Sequence, residues 1–294
     1  MKIGKLGVWA SLETMSAPDA AAFAKRVEGW GYSALWVPEA MGRNVLVHSS
    51  WLLANTTKLI VATGIANIYA RDPMAMVGAQ MALAEQSGGR FLLGMGVSHA
   101  PLVEGVRGQV FENPVKKLRT YLEAMAKAQY IAARPAEQPP TLVAALGPQM
   151  LKLVRELADG SHPYNVTPEH TAQAREILGP GKLICTEQMV LLETDAAAAR
   201  AAGRKVLATY LGLPNYRNNL LRLGFTGDDL ENGGSDRLID GIIAWGDEAA
   251  IRRRVQEHWD AGADHVCIQA VPADGNYQSP IPTKILELLA PTAG

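Results

Sequence analysis

Only two cysteines, Cys185 and Cys267, occur in the 294 residues. Both fall in apolar runs of strand character, so a disulfide framework or a cysteine-built zinc site is not expected. Neither charge is in excess: 28 Lys and Arg stand against 29 Asp and Glu, a formal net charge of −1. Without a basic block, nucleic acid and anionic membrane are poor partners. No stretch approaches about 18 consecutive apolar residues, and the opening MKIGKLGVW lacks a long apolar core. The sequence therefore reads as a soluble, cytoplasmic protein that handles a small molecule. There is no Gly-x-Ser-x-Gly and no His-x-x-x-His, so neither a serine nucleophile nor a metal centre is legible.

What is present is a repeated unit of amphipathic helix, glycine and short apolar strand. WGYSALWV (30–37), LADGSHP (157–163) and AGADHVCI (261–268) show it most plainly. Strands are predicted at 3–9, 33–37, 58–65, from Phe91, and at 141–145, 159–162, 183–192 and 264–270. Helices lie between them. Asp72-Pro73 and Asn113-Pro114 read as N-caps followed by proline in the first turn. Eight strands alternating with helices suit a (β/α)8 barrel better than its competitor, a doubly wound open sheet. Residues 1–294 read as a single domain. About 70 residues separate strands seven and eight, so 210–241 is expected to be an inserted helical segment covering the catalytic face or making a subunit contact.

The stretch GGRFLLGMGVSHAP (88–101) organises the site. Gly94 and Gly96 close an apolar strand, and glycine there lets a flat ligand approach the backbone. A dinucleotide fingerprint is rejected, because His99 takes the third glycine position and Pro101 argues against a helix opening at once. In a barrel, strand ends converge on one mouth. Glu39, then Gly64, Ile65 and Asn67, then Ser98 and His99, then Leu146 and Gly147, then His162 and Tyr164 would gather there. Each has a plain alternative as a cap, turn or loop residue. His170, His258 and His265 read as structural. Gly147-Pro148 opens a helix and so offers backbone N–H groups to an anion. Together these suggest a pocket for a flat cofactor that carries the chemistry itself.

GYSALWVPEA, VATGIANIYARDPMAMVGAQMALAEQSGGRFLLGMGVSHAP, VAALGPQMLKLVRELADGSHPYNVTPEH and WGDEAAIRRRVQEHWDAGADHVCIQ carry a family resemblance. The chain resembles the bacterial-luciferase-like oxidoreductases, most closely their branch that uses the deazaflavin coenzyme F420. The resemblance implies a (β/α)8 barrel with an inserted helical segment, acting as a homodimer. It implies a bulge at Gly64–Ile65, through a non-proline cis peptide, behind the deazaflavin ring. Glu39 and Asn67 would contact the ring's polar edge, and Gly96, Val97 and Ser98 would line the ring and its side chain. Leu146, Gly147, Gln149 and Met150 would offer backbone groups to the phosphate, Gly160 would close that side, and His162 stands at the same mouth. His99 falls where several relatives carry an acid, and is the candidate proton donor or acceptor. The implied activity is hydride transfer between the deazaflavin C5 and a small organic substrate. Two alternatives stay open: an FMN-dependent monooxygenase on the same barrel, and a barrel that binds a flavin-type cofactor without turnover. No arginine stands in the loop at 147–149 to clamp a terminal phosphate, which is compatible with the longer tail of F420.

Overall fold

The computed structural model describes residues 1–291; residues 292–294, the end of the expected single domain, lie outside the described residues. Ten strands form one parallel sheet: β1 (Leu6–Trp9), β2 (Ala34–Val37), β3 (Ile60–Thr63), β4 (Ala66–Asn67), β5 (Phe91–Gly96), β6 (Thr141–Val143), β7 (Gly160–Ser161), β8 (Leu183–Leu192), β9 (Ala244–Gly246) and β10 (His265–Ala270). The order runs β10-β1-β2-β3-β5-β6-β7-β8, with β4 continuing β3 along β5, and β10 also pairs with β8. That last pairing closes an eight-strand (β/α)8 barrel with helices outside.

Two-residue alternation separates the layers. Ala34 and Trp36 of β2 point into the barrel with Ala62, Leu92, Leu142, Cys185 and Cys267. Leu35 and Val37 point outward, into the larger core beneath the helices. Both cysteines are thus buried, unpaired filling of the barrel. Helix Pro148–Leu157 shows how the outer layer is held: Leu151, Leu153 and Val154 are buried, each contributing roughly 1.5–3 kcal/mol. The two predicted proline starts are capped as expected. Asp72 accepts from Ala75 N at 2.9 Å and Asn113 from Lys116 N at 3.0 Å.

His265 forms the barrel floor. Its Nδ1 donates to Gly4 O at 2.5 Å, and its Nε2 accepts from Trp36 Nε1 at 3.1 Å. A Cβ on Gly7 would lie 2.6 Å from that Nε2, so only glycine fits beneath the ring. His258 is likewise structural, bonded to Thr171 and Gln188.

Two expectations change. β9 was not foreseen; it pairs with the far end of β8, beyond the barrel wall. A helical turn does open directly after His99: Pro101–Val106 is a π-helical segment in which Leu102 N and Val103 N donate to His99 O. Proline is admissible in a first turn, where its missing N–H would have no partner. Between β8 and β9 lie helices Ala196–Leu211, Pro214–Arg222 and Asp236–Ile242. They bury Leu207, Leu220, Phe225, Leu238 and Ile239 together with Met189 and Leu191 of β8, so this segment has its own apolar core seated on the strand's end. Among the described residues no helix is long and apolar enough to cross a membrane.

Candidate active site

The carboxyl ends of the strands build a flat wall first. The Gly64–Ile65 peptide is cis, and the chain leaves β3 at Thr63 to rejoin the sheet at Ala66. Thr63 Oγ1 donates to Gly94 O at 2.6 Å and accepts from Gly94 N at 2.9 Å, tying the bulge to β5. A Cβ on Gly94 would stand 2.1 Å from Thr63 O, so this glycine is required by packing. Ile65 lies over Gly96, where a Cβ would meet its side chain at 3.2 Å. Gly64 is gripped from two sides: Trp9 Nε1 donates to its carbonyl at 3.0 Å, and a Cβ there would lie 2.8 Å from both Trp9 Nε1 and His162 Nε2.

His162 is buried and stacks on Trp36 with centroids 4.2 Å apart. Its Nδ1 donates to Cys185 O at 2.7 Å, which leaves Nε2 as a bare acceptor facing Gly64. Burial lowers its pKa to about 4, so the ring is neutral at pH 7.

Glu39 is fully engaged. Oε1 accepts from Val45 N at 3.3 Å and pairs with Arg71, while Oε2 accepts from Asn67 N at 2.8 Å. Glu39 and Arg71 are 5% and 8% exposed in their side chains, so the pair is screened from water and holds its geometry. The donors left over are Asn67 Nδ2 and Arg71 Nη1, both buried and without a partner among the described residues. Glu39 thus holds the Asn67 backbone and the Arg71 guanidinium in place. Arg71 was missed in the sequence although it stands inside the quoted IANIYARDP run.

The opposite end of the mouth is the start of helix Pro148–Leu157. Gly147 is its N-cap and supplies no side-chain cap, so the first-turn N–H groups of Gln149 and Met150 are uncapped by this residue. The loop at 147–149 carries no arginine, as expected, but one reaches it from another element. Arg222, at the end of helix Pro214–Arg222, brings Nη2 to 3.3 Å from a Cβ built on Gly147. Among the described residues Arg222 makes no ion pair; Nη2 donates to Asn219 Oδ1 at 3.3 Å. Leu146 O accepts from His170 Nε2 at 2.9 Å, so His170 fixes the turn. Gly160 has a packing cause instead: its Cβ would strike Leu183 O at 2.3 Å.

Val97, Ser98 and His99 leave β5 half-buried, with Ser98 in the left-handed region at φ 58°. His99 packs on Tyr216 at 5.6 Å, and Tyr216 continues to Tyr164 at 6.2 Å and Trp9 at 5.5 Å from Tyr164. Burial lowers the His99 pKa, opposed by a hydrogen bond to the Asn215 side chain. Of the inserted residues singled out in the sequence, Tyr210 and Tyr216 face this arc. Arg217 instead pairs with Glu231 at 2.8 Å near the surface, and Asn218 is exposed.

The mouth of the parallel barrel thus combines a glycine-lined wall, buried donors without partners and an uncapped helix start. Residues 3–265 match the family described as luciferase-like monooxygenase, and the chain belongs to that family. A Mycobacterium tuberculosis protein provisionally named a coenzyme F420-dependent oxidoreductase is 25% identical, over 93% of this chain and 96% of its own length. The solved structure of an F420-dependent secondary alcohol dehydrogenase, in complex with an F420–acetone adduct, superposes with a TM-score of 0.75. It is 16% identical and covers 98% of this chain and 99% of its own. The FMN complex of the oxygenating constituent of 3,6-diketocamphane monooxygenase, from Pseudomonas putida, gives 0.70 at 14% identity. It covers 98% of this chain and 96% of its own.

Proposed function

We propose that the chain is a coenzyme F420-dependent oxidoreductase that exchanges hydride with a small organic substrate. The observation that carries the reading is the wall of Gly64, Ile65 and Gly96 with Asn67 Nδ2 and Arg71 Nη1 left without partners at its edge. Buried donors of this kind call for acceptors, and the carbonyl oxygens of a deazaflavin pyrimidine edge are acceptors on a flat ring. The coenzyme, when bound, supplies hydride exchange at C5. The protein's part is to orient the ring against Ile65, keep water from it, and hold a proton at the substrate.

His99 is the proton-handling group in this reading. Its lowered pKa makes it a neutral imidazole at pH 7, suited to accept a proton from an alcohol rather than to arrive charged. Val97 and Ser98 line the ring's side chain, and Leu146, Gly147, Gln149 and Met150 present the helix start to the phosphate. Arg222 favours a second reading, an FMN-dependent monooxygenase, because a guanidinium beside Gly147 suits a terminal phosphate dianion. The name of the mycobacterial relative supports F420 first.

We also read the chain as one barrel domain with its helical insertion at about 210–241, acting as a cytoplasmic homodimer. Val47 and Trp51, one helical turn apart and 70% and 42% exposed, are apolar surface that such a contact would cover. Sedimentation tests the dimer. Fluorescence titration with F420 and with FMN tests the cofactor: saturable quenching of F420 is expected, and tight FMN binding with no F420 binding overturns the reading.

A further inference from the structure

A second set of unpartnered groups lies on β8 and in the turn after β7, away from the ring wall. Glu187 lies two residues beyond Cys185 on β8, so it shares the inward phase of the strand. It is 1% exposed. Its Oε2 accepts from Asn165 N at 3.3 Å, and its Oε1 has no partner among the described residues. Asn165 is 5% exposed and holds a φ of 57°, which asparagine tolerates. Both its side-chain oxygen and its side-chain nitrogen lack partners. A buried carboxyl and a buried amide side by side, each with hydrogen-bonding capacity unused, are costly unless something takes them up.

The surroundings restrict what that is. Tyr164, Tyr210 and Tyr216 stand together, with ring centroids 5.4 Å, 6.2 Å and 5.3 Å apart. The Tyr164 hydroxyl is committed: it donates to Gln269 Oε1 at 2.9 Å and meets Tyr210 Oη at 2.9 Å. The groups that sense the charge of Glu187 are those three tyrosines with Tyr277 and Cys267, all neutral at pH 7. Among the described residues no lysine or arginine acts on it. Desolvation raises its pKa to about 8, so it is an uncharged acid that can both donate and accept.

We propose that Glu187 and Asn165 form the polar end of the substrate subsite, and that it takes an uncharged oxygen-bearing group, a carbonyl or an alcohol, on a flat apolar body held among the tyrosines. An anionic group in that position would be buried with no cation to pair it. The arc Tyr164–Trp9 links the subsite to Gly64, so the body of the substrate would lie against the ring wall. The cavity between Asn165, Tyr210 and Tyr216 measures about 10 Å³, room for one water at most. Tyr210 and Tyr216 therefore shift as substrate enters, and both ride on the helices between β8 and β9.

The inference deepens the proposed function, and its test is kept separate from it. Acetophenone and benzoate share a ring and differ in charge; each is titrated calorimetrically into the protein with and without F420. Acetophenone is expected to saturate at pH 6.5, with benzoate ~10-fold weaker or more. Above pH 8 ketone affinity falls as Glu187 ionises, whereas Glu187→Gln binds it alike at pH 6.5 and 9. Asn165→Gly, which suits the positive φ and keeps the fold, lowers ketone affinity ~10-fold. Equal binding of benzoate, no saturable ketone binding, or a fall in ketone affinity above pH 8 that persists in Glu187→Gln overturns the subsite. Failure of the wild type to bind F420 overturns the functional reading instead, while the titrations without F420 still decide this one.

Discussion

Arg222 and Gly147 meet across the mouth, a guanidinium nitrogen 3.3 Å from where a glycine Cβ would be. The two lie on different elements, and in the proposed reading their meeting would give the cofactor phosphate a two-sided cradle. Arg222 is also exposed, so water screens its charge. Arg222→Ala is expected to weaken cofactor binding ~10-fold, in keeping with one charge-assisted hydrogen bond. Gly147→Glu, adding bulk and like charge, should weaken it further. Both are read by quenching of cofactor fluorescence at low and high salt. Unchanged affinity in both variants, with the melting curve intact, places the phosphate elsewhere.

Gly64 has no room for a methyl group. Gly64→Ala would set a carbon 2.8 Å from Trp9 Nε1 and His162 Nε2. Overpacking of this kind costs about 1–3 kcal/mol. The urea midpoint should fall and cofactor binding with it. Gly78, where a Cβ meets nothing within 4 Å, is the control: Gly78→Ala should leave both unchanged or raise stability slightly. Equal behaviour of the two variants would remove the special role of the bulge.

His99→Ala should lower turnover by ~10²-fold while cofactor affinity changes little, if the imidazole handles the proton. A pH profile discriminates further. The wild-type rate should fall on the acid side as the ring protonates, and that limb should vanish in the variant. A large loss of cofactor affinity would make His99 a binding residue.

Stability should peak near neutrality and fall on both sides. His48, His162, His170 and His265 have folded pKa values of about 4 and His258 of about 3, below their unfolded 6.5. The unfolded chain therefore takes up protons first. Their contribution is full above pH 6.5 and is lost as pH falls toward 4. Glu187 works the other way: its pKa rises from 4.5 to about 8 on folding. Its contribution is full below 4.5 and declines as pH rises through about 8, at up to about 1.4 kcal/mol per pH unit. Urea midpoints between pH 6.5 and 8 should fall in the wild type and stay level in Glu187→Gln. Parallel slopes in the two proteins would rule out a buried acid at this position.

The barrel was readable because its strands are short apolar runs, several of them preceded by glycine, with two helix starts marked by Asp72-Pro73 and Asn113-Pro114. β9 was not, because three residues, Ala244–Gly246, carry too little pattern to be told from a loop. Arg222 left no local signal, since its nearness to Gly147 arises only when the inserted helices fold over the mouth. Glu187 did leave one. It is a lone carboxylate inside a buried strand, in phase with Cys185, and strand phase alone would have pointed it into the barrel. Arg71 was overlooked because nothing in sequence announces that Glu39 would spend both oxygens on it and on the Asn67 backbone.

The closing strand has a consequence for how the chain is made. β10 docks between β1 and β8, so the earliest strand of the barrel waits for the latest. Until residue 270 has left the ribosome, both neighbouring strands present bare edges, the kind of template that recruits other chains. A nascent barrel of this topology stays an open sheet until then, and from residue 192 to residue 270 that sheet already holds seven of the eight barrel strands. Its exposure to misassembly is therefore set by the timing of translation as much as by the stability of the finished fold.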